Sequence, residues 1–222
     1  MINWFLDLFR NYSFKDIYHL TNEQGYNKII SDAKILPFSK PFWRVKLNKG
    51  ENRIFFQKNG LNFSRVESLM NYPVYIVGFE TAIPREWIDS GLMSDLLNHL
   101  ENKSTRKSYT GANIYSFKLV VNTKFLFIRD HYYLSPKYFI DKYKHDFWSE
   151  RYKKGDDRYK IPEMTKSLVE YFNSTISYYE YKKLGLRYKV PELWYAGEYK
   201  INNTTGIKKL SSKGIEILKS SK

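Results

Sequence analysis

The chain has 222 residues, of which 42% are hydrophobic and 18% aromatic, with no cysteine and a formal net charge of +14. That apolar content supports a buried core and excludes a largely disordered chain, and the length suits one large domain. The missing thiols exclude disulfides, thiolate catalysis, cysteine zinc fingers and iron–sulfur clusters, and they fit a reducing cytoplasm.

The four histidines are His19, His99, His131 and His145. No pair has a short ligand spacing, so no metal is expected. The positive charge exceeds the magnitude of about 2–8 that solubility asks of a small domain. It points to an anionic partner, with nucleic acid first and an anionic membrane well behind. Compositional drift in an AT-rich genome, visible in the many Lys, Asn, Ile, Tyr and Phe, is the competing explanation. The apolar opening Trp4-Phe5-Leu6-x-Leu8-Phe9 is shorter than the roughly 7–15 residues of a signal core or the roughly 20 of a span. Residues 1–12 therefore read as a short helix docked on the core. The chain reads as soluble and cytoplasmic, with no membrane partner.

In chain order, Asp16 to Thr21 begins a first strand, and Thr21 or Asn22 caps a helix of about nine residues. Ile35-Leu36-Pro37 is a second short strand, and Pro37 to Gly50 is a loop carrying Trp43, Arg44 and three lysines. Arg53-Ile54-Phe55-Phe56-Gln57 reads as a strand bounded by Gly60, after which Ser64 caps a helical turn from Arg65 to Met70. Val74 to Phe79 is β-branched and aromatic and reads as a core strand. Trp87-Ile88 and Gly91 to Leu100 have helical spacing, and residues 101–112 form a polar loop. Two strands follow, Ile114 to Val121 and Lys124 to Ile128.

From Asp130 to Tyr159 cations interleave with aromatic rings, which predicts an inserted helical element at about 130–160. Glu163 to Lys183 reads as one helix with Leu168, Tyr171, Phe172 and Ile176 inward. Val190 to Ala196 is a late strand, followed by Tyr199-Lys200-Ile201. The organisation expected is a single α+β domain over residues 1–201. Residues 202–222, with five Lys against one Glu, then form a basic tail, either frayed or an electrostatic arm.

Three chemical groups stand out. His19, beside Tyr18 and Thr21 at a strand end, can hold an imidazole over a ligand; on spacing alone it reads first as a satisfied core or edge histidine. Glu192 heads an apolar strand, with Glu198 as its competitor. The interleaved segment offers Arg129, Lys137, Lys142, Lys144, Arg151, Lys153, Lys154 and Arg158 to a phosphate backbone and His131, Tyr132, Tyr133 and other rings to unpaired bases. Solvated lysines over inward tyrosines would give the same text.

The run Ile17-Tyr18-His19-Leu20-Thr21, then Gly25, Ile29-Ile30 and Ile35-Leu36-Pro37, resembles the opening motif of ADP-ribosyltransferases of the diphtheria-toxin and poly(ADP-ribose)-polymerase type. In outline it is most similar to the toxins that modify DNA bases. The resemblance continues in Ile54-Phe55-Phe56 with Phe63-Ser64-Arg65-x-x-Ser68, and in Glu192-Leu193-Trp194-Tyr195. It covers residues 17–70 and 190–201, and departs from the family where Phe55 stands in place of Tyr.

This resemblance implies an ADP-ribosyltransferase-like α+β fold, two small, mostly antiparallel sheets forming a cleft surrounded by helices, with NAD as a consumed substrate. His19 would then bind the adenosine ribose, Thr21 and Ser64 would support the site, and Phe55 and Phe56 would stack on nicotinamide. Arg65 would assist the phosphates or the acceptor, and Glu192 would be the catalytic carboxylate. Cleaving the nicotinamide–ribose bond develops oxocarbenium character, and a carboxylate on the neighbouring hydroxyl strengthens its bond as that charge grows. The acceptor expected is nucleic acid before protein, and such enzymes belong to toxin–antitoxin or phage–host conflict, where an antitoxin or a host target is the protein partner. Two other readings stay open: a relative of RNA 2′-phosphotransferases, for which Arg44, Arg53 and Arg65 are the nearby arginines, and a non-catalytic nucleic-acid-binding protein or inhibitor of a host nucleoprotein.

Overall fold

In a computed structural model, residues 12–35, 50–65, 75–93, 96–97, 113–145 and 161–211 are described. The first strand, β1 (Phe14–Asn22), leads into helix α1 (Glu23–Asp32) and the two-residue strand β2 (Lys34–Ile35). Helix α2 (Gly50–Lys58), strand β3 (Tyr75–Gly78) and the short helix α3 (Arg85–Asp89) follow. Next come β4 (Ile114–Asn122), β5 (Leu126–Asp130) and helix α4 (Pro136–Tyr143), with 3₁₀ turns at Thr123–Phe125 and His131–Leu134. Helix α5 (Pro162–Asn173), β6 (Ile176–Ser177), helix α6 (Tyr178–Lys183), β7 (Pro191–Ala196), β8 (Tyr199–Lys200) and β9 (Gly206–Lys209) complete the described elements.

The strands form antiparallel sheets in the orders β1-β4-β9, β2-β8 and β3-β7-β5-β6. The mixed α+β class expected from the sequence is therefore present. Alternation along the strands decides how the two larger sheets stack. Ile17, Phe117, Leu119 and Val121 from the first share one buried cluster with Ile76, Leu126, Ile128 and Leu193 from the second. The opposite face of the second sheet, with Phe127, Trp194 and Ala196, is covered by Leu168, Val169, Tyr171 and Phe172 of α5 and by Phe56, Leu61 and Phe63. A third cluster joins Leu20, Phe79, Trp87, Ile114, Tyr132, Tyr138, Phe139 and Leu210. Each large apolar side chain so buried contributes about 1.5–3 kcal/mol relative to exposure.

Several expectations are corrected here. Residues 53–57 lie in helix α2, not in a strand. Phe56 faces the core while Ile54 and Phe55 face outward. Three apolar residues in a row carry no period, so the sequence offers no discrimination between helix and strand at this point. The single helix expected over 163–183 is two, because the chain leaves α5 at Ser174 and restarts at α6 with a Ser177/Glu180 capping box. Lys124 and Phe125, expected to open a strand, lie in a 3₁₀ turn over Thr123–Phe125, where the Asn122 side chain accepts from Lys124 N–H. At the helical turn 63–65, Asn62 is the cap: its Oδ1 accepts from the Ser64 N–H and hydroxyl. The described part of the expected basic tail, residues 202–211, is joined to the domain, since β9 pairs with β4 and Leu210 N–H donates to Ile114 O at 2.8 Å; residues 212–222 lie outside the described residues. The expected N-terminal helix, the loops 37–49 and 101–112, and the segment 146–160 lie outside the described residues.

Candidate functional site around Glu192

Strand β7 runs between β3 and β5, and its register sets Glu192 directly across from Arg129. Both residues share the face of Phe127 and Trp194, so both point under α5 rather than into water. Arg129 is 0% exposed and Glu192 4% exposed. Tyr171, reaching down from α5, joins them: its hydroxyl donates to Glu192 Oε2 at 2.6 Å and accepts from Arg129 Nη1 at 3.0 Å. The guanidinium lies 4.8 Å from the Tyr171 ring centroid and 4.6 Å from that of Trp194, so aromatic faces replace part of its lost hydration.

His131 stands at the other carboxylate oxygen, with Nδ1 3.1 Å from Glu192 Oε1. The approach is oblique, an ion-pair distance rather than an in-line hydrogen bond. The imidazole is packed between Trp87, at 4.6 Å between centroids, and Tyr171, at 5.1 Å. Its side chain keeps 17% of its surface exposed, whereas the Nδ1 edge is buried.

Backbone ties hold this group in place. His131 N–H donates to Val190 O at 2.8 Å, and Trp87 Nε1–H donates to Pro191 O at 3.0 Å. The Asp130 carboxylate accepts from the N–H groups of Tyr132, Lys189 and Val190. One carboxylate therefore knots the end of β5 to the segment that enters β7, and fixes His131 and Glu192 relative to each other.

Burial alone would raise the Glu192 pKa, but His131, Arg129 and the Tyr171 hydroxyl outweigh it and bring it down to about 2. The carboxylate is ionised at neutral pH. Burial, helped by the Glu192 charge and opposed by Arg129, raises the Tyr171 phenol well above its ordinary range, so it remains an O–H donor.

His19 occupies a different place. It shares the face of Ile17 on β1, and its Nδ1 lies 2.9 Å from Val77 O on β3. A carbonyl can only accept, so Nδ1 carries the proton and Nε2 is left as an acceptor. Burial lowers the pKa of this half-buried ring, with the Val77 contact opposing the shift, which favours neutral imidazole. Thr21 and Asn22 are buried at the same strand end, and Asn22 Oδ1 caps α1 by accepting from Gly25 N–H at 2.8 Å. Tyr26 stacks on Tyr115 just beyond, 4.0 Å between centroids and 13° between planes.

The remaining expected residues scatter. Phe55 is 36% exposed on α2, and Phe56 is 3% exposed within the cluster under α5, so the two do not sandwich a common ligand. Ser64 is bonded to Asn62, and the Arg65 guanidinium donates to Asn173 O at the end of α5. Glu198, the rival carboxylate, is a surface residue 3.5 Å from Lys34. Arg129, expected on a nucleic-acid surface, is instead the buried partner of Glu192. Lys142 bridges to Glu170 at 3.0 Å and Lys137 reaches Asp141 at 3.9 Å, while Lys144 donates to Asp141 O. The rings of Tyr132 and Tyr138 turn into the core, 5.5 Å apart edge to face, and are not available to stack on bases. Arg151, Lys153, Lys154 and Arg158 lie outside the described residues.

The structure thus joins Glu192 with Arg129, His131 and Tyr171. His19 and Thr21 form a separate group at the end of β1, on the inter-sheet side. The sequence carried one signal for the first association: opposite charges at core-facing positions of two apolar strands, Arg129 in step with Phe127 and Glu192 in step with Trp194. No family model, curated protein or solved structure matches this chain. Among the described residues no helix is long and apolar enough to cross a membrane.

Proposed function

We propose that this protein transfers ADP-ribose from NAD to a macromolecule, with nucleic acid the favoured acceptor, and that its α+β architecture is a variant of the ADP-ribosyltransferase fold. The observation that carries the reading is Glu192: a carboxylate held ionised at the head of a central strand, bonded by Tyr171 at one oxygen and faced by His131 at the other. A pre-oriented anion of this kind stabilises the positive charge that grows on ribose as nicotinamide departs. Each carboxylate oxygen has two acceptor directions, so the contacts with Tyr171 and His131 leave capacity for a ribose hydroxyl.

His19 belongs to a separate place: its neutral imidazole, with Nδ1–H committed to Val77, leaves Nε2 as an acceptor on the inter-sheet side and not on the Glu192 face. The formal charge of +14 supports a polyanionic acceptor. Phe55 and Phe56 have no part in this version of the site, and Arg129 enters it as the buried cation that helps keep Glu192 ionised.

The test is release of nicotinamide from labelled NAD and capture of the label by single-stranded or duplex nucleic acid. Wild type should do both, Glu192→Gln should lose about 100- to 1,000-fold, and Glu198→Ala should retain activity. Equal activity in Glu192→Gln, with folding verified by circular dichroism, would overturn the assignment. No NAD turnover with any acceptor, together with nucleic-acid binding that weakens steeply in salt, would leave a non-catalytic binder.

A further inference from the structure

We infer that His131 is the group that removes the proton from the acceptor, with the Glu192 carboxylate beside it at ion-pair distance to stabilise the imidazolium that forms, an inference that rests on the transferase reading above. The geometry is that of a carboxylate–imidazole pair. Glu192 Oε1 lies 3.1 Å from the buried Nδ1, and the His131 side chain as a whole keeps 17% of its surface exposed. With Nδ1 turned to the carboxylate, Nε2 is the nitrogen that can face an incoming nucleophile.

The ring has little freedom to leave this pose. Trp87 and Tyr171 pack against it, and its own backbone N–H is bonded to Val190 O. Such immobilisation exceeds what a surface histidine needs, and it is what a proton acceptor requires if it is to meet one atom of a substrate. The charged and titratable groups facing the pair are Glu192 on β7, Arg129 on β5 and Tyr171 on α5. Asp130, next in the chain, directs its oxygens to backbone N–H groups instead.

The step balances without a further reagent. The acceptor N–H or O–H attacks the anomeric carbon of the nicotinamide ribose as the carbon–nitrogen bond to nicotinamide breaks. The bonding pair leaves with nicotinamide, neutralising its pyridinium. The acceptor proton passes to His131 Nε2 and then to water. The products are ADP-ribosylated acceptor, nicotinamide and one proton. Glu192, beside the ring, stabilises the imidazolium that forms.

The experiment measures nicotinamide release and label transfer separately, across pH 5–9, for wild type, His131→Gln and His131→Ala. Loss of a general base costs about 100-fold or more in transfer. Hydrolysis of NAD by water, which proceeds from the oxocarbenium-like state without a strong base, should fall far less. The pH dependence of transfer in wild type should vanish in both variants, and added imidazole should restore transfer in His131→Ala. Those results support the assignment. Wild-type turnover with an unchanged pH profile in His131→Gln, or no rescue of a folded His131→Ala, would overturn His131 and leave the transferase standing. Absence of NAD turnover in wild type would overturn the transferase reading and this inference with it.

Discussion

Arg129 keeps its charge with none of its surface in water, and that fact governs what single substitutions do around it. Removing one partner of a buried pair strands the other, at a cost of about 3–5 kcal/mol. Arg129→Met and Glu192→Leu should each destabilise by that order in urea titration, while the double variant should lose much less than their sum. Additive losses would mean that the pair is not coupled. The pH dependence has a definite sign. The Glu192 pKa is about 2 when folded against an ordinary 4.5, so its contribution is complete above 4.5 and is lost as pH falls towards 2, on the order of 3 kcal/mol. Stability measured between pH 5 and 2 should fall steeply in wild type and less steeply in Glu192→Gln. For His19 the folded pKa is lowered from 6.5; the neutral ring is the favoured one, so its contribution is present above 6.5 and declines as pH falls below it. Glu192 was legible from the strand that follows it. Its partners were not, because charges inside two apolar strands look like surface residues until the register places them opposite each other.

At the scale of elements, the turn from β1 into α1 is the most constrained junction. A Cβ on Gly25 would lie 2.0 Å from Thr21 Oγ1 and 3.3 Å from its Cβ. Alanine is ordinarily worth about 1 kcal/mol more than glycine inside a helix. Here Gly25→Ala should instead destabilise, because the buried Thr21 must change rotamer or the helix must shift. The helix gain should reappear in Thr21→Ala/Gly25→Ala, and thermal melting of the four proteins checks this. The sequence made β1, α1, β3, β4 and β7 readable because each has an uninterrupted period, a cap or a β-branched run. It misled at α2, where Ile54-Phe55-Phe56 carries no period, and at the break after Asn173. That break depends on a tertiary bond, Asp130 N–H to Ser174 Oγ at 2.9 Å, which no local pattern announces. The restart carried a local signal that the one-helix reading passed over, the capping box Ser177-Tyr178-Tyr179-Glu180.

Over the whole molecule, the last described strand contributes more than its composition implied. Gly206–Lys209 is exposed along its length, with Lys208 and Lys209 guarding an open edge, but Leu210 behind it is buried with Trp87 and Ile114. Leu210→Ala should cost about 2–4 kcal/mol in chemical denaturation, whereas a frayed tail would lose nothing. The charge of the tail hid this, since lysines on an edge strand and lysines on a solvated arm read alike. The two larger sheets meet edge to edge at a single described bridge, in which Tyr18 and Phe79 each donate to the other's carbonyl at 2.9 Å. With His19 next to it on β1, that bridge is the backbone tie beside the Val77 contact of the imidazole, and the shared cluster of Ile17, Phe117, Ile76 and Leu193 joins the sheets behind it. Opening the bridge would release both amides at once, so in deuterium exchange Tyr18 and Phe79 should take up label together, ahead of the strand interiors on either side.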